Sequence, residues 1–324
     1  MIFPQITICY GPETHIYKSY FQEHFIKLEE VTYRLNFGPW SCDFINSGRN
    51  ISGHRVTLLT TRVIGKNNGL KLALYIPKSS IPTYFIVNHN NELTTMKDII
   101  SLKAHPGVHN DLVLTKEIDE NLGEPFNKCH HDLNTKATLD SIPFQNIRKS
   151  GFNYRYVNCY EACFCMYLAT EFNCTCPHLY ETNHSEFCYL KNLFRRKEIN
   201  FDHEKMCDKH CPRECNFNYI KPTITKYRSD SLPFNLDETA FQSYFQSKES
   251  KPEYDLDQIS SLYFYFNDLR EYDFIEKEKF GIIDMVASIG GCLGLFLGLS
   301  LFSLIEIVEV IGELFYLTVK FFKK

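Results

Sequence analysis

Ten cysteines fall between residues 129 and 215, at positions 129, 159, 163, 165, 174, 176, 188, 207, 211 and 215. Their chemistry is either metal ligation or disulfide pairing. Cys207, Cys211 and Cys215 recur every four residues, with His130, His131, His203 and His210 in the same stretch, which is a donor set zinc accepts. Structural zinc sites more commonly draw close cysteine pairs from two separated knuckles, whereas a cysteine-rich extracellular region pairs off as disulfides. Disulfides are the stronger reading, and no metal site is expected. A catalytic thiol is weaker again, because no nucleophile signature surrounds any of these cysteines. With no catalytic constellation elsewhere, neither an enzyme nor a cofactor is expected. The second group with chemical capacity is acidic: Asp284, Glu306, Glu309 and Glu313 bracket or follow a long apolar run.

Those residues need a scaffold and a compartment. Of 324 residues, 44% are hydrophobic and 23% charged, with only 28 Gly and Pro (15 and 13), so disordered and collagenous readings are excluded. The net charge of -4 offers no basic footprint for phosphate, which excludes nucleic acid as a partner. Twelve of the 13 cysteines precede residue 216, pointing to an oxidising environment, and sequons at Asn50, Asn173 and Asn183 agree with secretion. Met285 to Ile305 runs 21 residues without a charge, long enough to cross a hydrocarbon layer of ~30 Å as one helix. Lys320, Lys323 and Lys324 place the C-terminus in the cytosol and residues 1–280 outside. Nothing near Met1 reads as a leader or a second span, so an upstream membrane segment is expected beyond this sequence.

Strands are expected over residues 1–12 and 54–88, where ITIC, RVTLLTTRVI and LKLALYI are β-branched or alternating, and this style continues to Leu114. Helices are expected over Tyr160 to Phe172 and Glu186 to Glu198, with KPTITKY returning to strand. The fold class is α+β with one terminal membrane helix. Gly290, Gly294 and Gly298 have the spacing at which helix backbones approach closely. On an ideal helix Asp284, Ala287, Gly291, Gly298, Glu306, Glu309 and Glu313 share roughly a third of the circumference. Carboxylates facing lipid at depth cost ~2.5–3.5 kcal/mol each, so such a stripe should face water. The alternative leaves the three glutamates beyond the membrane boundary in the cytosol.

FPQITIC near the start, CDFINSG at Cys42, the cluster ending CPRECNFNY and the run GGCLGLFLGLSLFSLIE resemble the degenerin/epithelial sodium channel family, acid-sensing and pickpocket-like channels included. The resemblance covers nearly the whole chain. It implies a disulfide-rich ectodomain over residues 1–280, with palm, β-ball, a shortened finger and a thumb at about 129–218. A pore helix over 281–319 and a cytosolic tail over 320–324 follow, and the family's first membrane helix precedes the FP motif. Only 32 residues separate Cys9 from Cys42, where related channels carry a much longer finger.

Further implications are residue-specific. By motif position Cys9 pairs with Cys42, Cys129 with Cys215, Cys159 with Cys211, Cys163 with Cys207, and Cys176 with Cys188. Cys165 is an addition assigned to Cys174, and Cys292 stays a free thiol. Phe126 stands where an acid-sensing channel has a tryptophan coupling thumb to membrane helix. Gly298, Leu299 and Ser300 match the filter, Asp284 the outer mouth, Ala287 and Gly291 the gating face, and Glu306 and Glu309 the pore below. The implied assembly is a homo- or heterotrimer of family subunits in the plasma membrane bilayer, sodium-selective, often blocked by amiloride and gated through its ectodomain. A non-conducting membrane or binding protein, derived from a channel by loss of the first helix and finger, is the alternative.

Overall fold

The computed structural model describes residues 1–37, 40–78, 80–90, 92, 102–133, 141–150, 152–172, 207–228, 256–297 and 301–322. It divides into two units, Met1–Ile275 and Glu276–Lys324.

Two sheets organise the first unit. β1 (Gln5–Tyr10) is buried at all six positions, as a strand flanked on both sides and covered on both faces must be. It lies antiparallel between β5 (Trp40–Ile45) and β7 (Thr83–Asn88). β4 (Thr32–Phe37) and the two-residue β8 (Lys103–Ala104) complete the order β4-β5-β1-β7-β8. Cys9 and Cys42 are direct partners in the β1–β5 register and are disulfide-bonded.

The second sheet has six strands in the order β10-β9-β11-β6-β2-β3. β9 (His109–Glu120) and β10 (Asn216–Tyr227) pair antiparallel over their whole length, and β11 (Ile259–Ile275) runs parallel to β9. β6 (Leu70–Tyr75) joins β11 to β2 (His15–Phe21), and β3 (His24–Phe25) forms the other edge. Pro222 sits within β10 without breaking the sheet because β10 is an edge strand, where a missing N–H need not face a neighbour. Gly69 allows β6 to begin hard against β11: a Cβ there would lie 2.0 Å from the Phe264 carbonyl oxygen. Ile6, Ile8 and Phe85 from the first sheet share one core with Leu72, Leu112, Leu262 and Phe264 from the second.

The FP and CDFINSG motifs meet on one carbonyl. Phe3 is fully buried, with its ring edge-on to Phe21 and Phe266 at 5.1 and 5.9 Å. Its carbonyl oxygen accepts from the amides of Asn46 at 2.5 Å and Asn90 at 2.8 Å. Asn46 holds a left-handed backbone (φ 61°), which Asn tolerates better than most residues, and its Oδ1 accepts from Leu59 N–H at 2.6 Å. This explains a departure from expectation: residues 55–64 form no strand. The Leu59 carbonyl bonds Phe3 N–H, both sides of β6 are already occupied, and Val63 and Ile64 remain exposed.

After the one-turn helix α1 (Leu28–Val31), helices α2 (Ile142–Ser150) and α3 (Tyr156–Phe172) carry the cysteine-rich region. Cys159 and Cys163 lie one turn apart on α3, so they share a face. Cys207 and Cys211 are likewise one turn apart, linked by a Cys211 N–H to Cys207 carbonyl bond of 2.9 Å. Set antiparallel, the two turns form the rungs Cys159–Cys211 and Cys163–Cys207, while Cys129–Cys215 closes the region beside the ends of β9 and β10. The four-residue repeat that zinc could have used is therefore consumed by disulfides.

The Cys9–Cys42 bond spans 33 residues, and chain-entropy arguments put its contribution at about 3–4 kcal/mol. Replacing both cysteines by serine is expected to lower unfolding stability by that order in a denaturant titration. Peptide mapping without reductant should recover Cys9 joined to Cys42; Cys9 on a peptide from residues 129–215 would overturn the assignment.

Candidate functional site

Glu276–Lys324 contains helices α4 (Ile282–Leu297) and α5 (Leu301–Phe322). α4 starts with a local cap, since Asp284 Oδ2 accepts from Gly281 N–H at 3.0 Å. Asp284, Ala287 and Gly291 fall within about 60° of one another around α4, and Glu306, Glu309 and Glu313 do so around α5. Among the described residues, a Cβ built at Gly290, Gly291 or Gly312 meets no heavy atom within 4 Å beyond the helix's own backbone. The remaining surface is apolar and exposed: Ile282 and Ile283 exceed 80% or reach it, as does Leu295 on α4, and Phe315 and Phe321 stand out from α5.

Of the expected span over Met285 to Ile305, residues 298–300 lie outside the described residues, and α4 and α5 carry the rest. α4 has 16 residues, roughly 24 Å at 1.5 Å per residue, and α5 carries Glu306, Glu309, Glu313 and Lys320. Among the described residues, no helix is long and apolar enough to cross a membrane. Gly298, Leu299 and Ser300, the expected filter, lie outside the described residues, and the acidic and small-residue stripes are each seen only on their own helix. Cys292 is an exposed free thiol.

Elsewhere the expected sites are placed as follows. Cys165 is disulfide-bonded; Cys174, Cys176 and Cys188 lie outside the described residues, as do Asn173 and Asn183. Asn50 heads an exposed turn, its Oδ1 accepting from Ser52 and His54 N–H. Phe126 is 55% exposed.

Two charged clusters had no signal in the sequence. In the first, Arg34 on β4 faces its cross-strand partner Asp43 on β5 and grips both carboxylate oxygens at 2.5 and 2.9 Å. Tyr10 donates to the same carboxylate at 2.6 Å, and burial together with Asp43 raises its phenol pKa far above the ordinary range. Asp43 is 1% exposed, so this bidentate pair satisfies a buried charge across three strands.

The second cluster sits where α3 begins. Arg155 bonds Glu92 at 3.0 Å and Glu214 at 3.1 Å, with its guanidinium over the Phe217 ring at 5.6 Å. Glu214 Oε2 also accepts Tyr156 N–H at 2.8 Å, capping α3 from a distant segment. That remote cap explains why the helix starts at Tyr156, four residues before its expected start. Desolvation holds the Glu214 carboxyl above the usual carboxylate range, outweighing the attraction of Arg155. Between the ordinary value of about 4.3 and the raised one, the folded state keeps a proton that the unfolded chain releases, so this group's contribution to stability falls as pH rises. Glu214→Gln should therefore gain stability relative to the parent between about pH 4 and pH 7, read as the difference of thermal midpoints; a gap independent of pH would refute this.

Residues 33–310 match the family described as amiloride-sensitive sodium channel. The chain is 22% identical over 282 residues to the epithelial sodium channel subunit gamma of Bos taurus, covering 78% of this chain and 40% of that protein. It is 24% identical over 281 residues to the subunit alpha of Cavia porcellus, with 78% and 38% coverage. Degenerin mec-10 of Caenorhabditis briggsae is 23% identical over 272 residues, with 79% and 35% coverage. The chain thus spans 35–40% of the length of these curated relatives.

Proposed function

Because this chain belongs to the amiloride-sensitive sodium channel family, we propose that it is a subunit of a sodium-selective cation channel, assembled as a trimer with itself or with related subunits and gated through its disulfide-rich first unit. One observation carries the reading. Two successive helices each gather small or acidic residues on one face, while exposing large apolar side chains over the rest of their surface. Exposed apolar surface of this extent calls for lipid or partner helices, and carboxylates are tolerated at depth only beside water or a counter-charge. Three copies placing these faces inward give a wet, acidic lumen with an apolar outside, in the plasma membrane with Met1–Ile275 extracellular. Acidic rings then concentrate cations at the mouths.

The relatives' names, epithelial sodium channel subunits and a degenerin, support sodium as the permeant ion and related chains as partners. Oocytes expressing the protein from its natural transcript are expected to carry an inward sodium current that amiloride reduces. Surface-labelled protein without any cation current, alone or with related subunits, would favour the non-conducting alternative.

A further inference from the structure

Shortly after β5 the chain turns back on itself. Arg49 bridges Arg55 in antiparallel sense, Val56 N–H donates to the Gly48 carbonyl at 2.9 Å, and Asn50 N–H donates to the His54 carbonyl at 2.9 Å. The tip of this ribbon is Asn50-Ile51-Ser52-Gly53, closed by a bond of 2.8 Å from Gly53 N–H to the Asn50 carbonyl. Ile51, Ser52, Gly53, His54 and Arg55 are all exposed. Among the described residues, a Cβ built at Gly53 meets nothing within 4 Å, so the space around the tip is open.

The Asn50 side chain is used on one side only. Its Oδ1 accepts from Ser52 N–H at 3.1 Å and from His54 N–H at 3.0 Å, whereas Nδ2 donates to no group among the described residues. Asn46 and Asn90, by contrast, spend Nδ2 on the Phe3 carbonyl, and Asn153 spends it on the Asn90 carbonyl. A substituent on those nitrogens would break the bonds that join these segments. One on Asn50 Nδ2 keeps every bond its side chain makes. Asn50-Ile51-Ser52 is also an acceptor sequence for glycan transfer in a secreted chain, since the middle residue is not proline.

We propose that Asn50 carries an N-linked glycan that shields this turn, a site that rests on the extracellular reading of Met1–Ile275. The donor is a lipid-linked oligosaccharide diphosphate. The bond from C1 of its first sugar to the diphosphate oxygen breaks, and C1 bonds to Nδ2. The lipid diphosphate leaves with the electron pair, and one amide proton passes to base. Asn50 retains Oδ1 and one side-chain N–H, so the turn persists in the product. A bulky, solvated group at the tip stands over Arg55, an exposed basic residue on the kind of loop tip that proteases nick.

The test expresses the whole protein from its natural transcript in oocytes and digests it partially with a glycosidase that cleaves the asparagine–sugar linkage. Steps in the resulting mobility ladder are counted. Asn50→Gln and Ser52→Ala should each lose one step relative to the parent, whatever the occupancy of Asn173 and Asn183, while Ser52→Thr should keep it. Ser52→Ala leaves Asn50 and its two backbone donors in place, which preserves the readout if Asn50→Gln folds poorly. Trypsin should cut after Arg55 several-fold faster in Ser52→Ala than in the parent. The parent's ladder in both variants would overturn the proposal, and equal cleavage rates would overturn the shielding. Labelling with a membrane-impermeant reagent separates this site from the reading beneath it. A labelled protein without a glycan at Asn50 overturns the site alone; one neither labelled nor glycosylated overturns the extracellular reading as well.

Discussion

Replacing Arg155 by methionine is expected to lower unfolding stability by about 3–5 kcal/mol at neutral pH, the cost of leaving buried carboxylates without their counter-ion. The side chains of Glu92 and Glu214 are only 11% and 13% exposed, so water cannot replace the guanidinium. Glu214 would still cap Tyr156 N–H, but with a charge repelled by Glu92 and no longer held by Arg155 Nε. For a unit of this size the loss corresponds to a fall in thermal midpoint of roughly 6–20 °C. The penalty should shrink towards pH 4, because the elevated Glu214 carboxyl takes up a proton there and removes one of the opposed charges. Adding Glu92→Gln and Glu214→Gln to Arg155→Met should recover much of the loss, since neutral hydrogen-bonding groups no longer demand a counter-ion. A loss below about 1 kcal/mol, typical of surface pairs, or one that is the same at pH 4 and pH 7, would show that the cluster is not a buried charge centre.

What the sequence disclosed and what it hid follow from how far each signal reaches. β1 and β6 are apolar runs bounded by Pro or Gly, so their own residues announce them. The Cys159/Cys163 and Cys207/Cys211 pairs repeat at the helical period, so the ladder was visible as spacing, though its partners came from the family resemblance. β2 and β4 were missed because Lys18, Arg34 and Asn36 break the apolar pattern; Arg34 is admitted only because Asp43 stands opposite it on β5. Residues 55–64 misled in the other direction. Their Val, Leu and Thr content suits a strand, yet the Leu59 N–H and carbonyl are taken by Asn46 and Phe3, and no local pattern records that. The Arg155 cluster joins residues separated by 63 and 59 positions, and its helix cap comes from Glu214, so neither had a local signature.

Within the proposed channel, Ala287→Val is expected to raise the resting sodium current several-fold. Ala287 shares a face of α4 with Asp284 and Gly291, and among the described residues nothing outside the helix's own backbone lies within 4 Å of a Cβ built at Gly291. In the proposed trimer neighbouring copies close that face, and small residues let helix backbones do so at short range. Two added methyl groups would hold the copies apart and bias the assembly towards the open arrangement. Substitutions nearer the filter should act differently, and here the expectation rests on the motif at Gly298, Leu299 and Ser300. Selection depends on how well the narrowest ring replaces a hydration shell, so Gly298→Ala or Ser300→Ala should lower the sodium-to-potassium permeability ratio. Glu309→Gln removes charge from the face of α5 and should lower conductance while leaving that ratio in place, because a charged ring sets local ion concentration and not the fit of the constriction. Reversal potentials and single-channel amplitudes in oocytes separate the two effects. A Glu309→Gln channel with altered selectivity, or Ser300→Ala and Gly298→Ala channels both with the parent ratio, would move the filter away from this position. An Ala287→Val protein that reaches the surface with no more current than the parent would remove the packed gate from the mechanism.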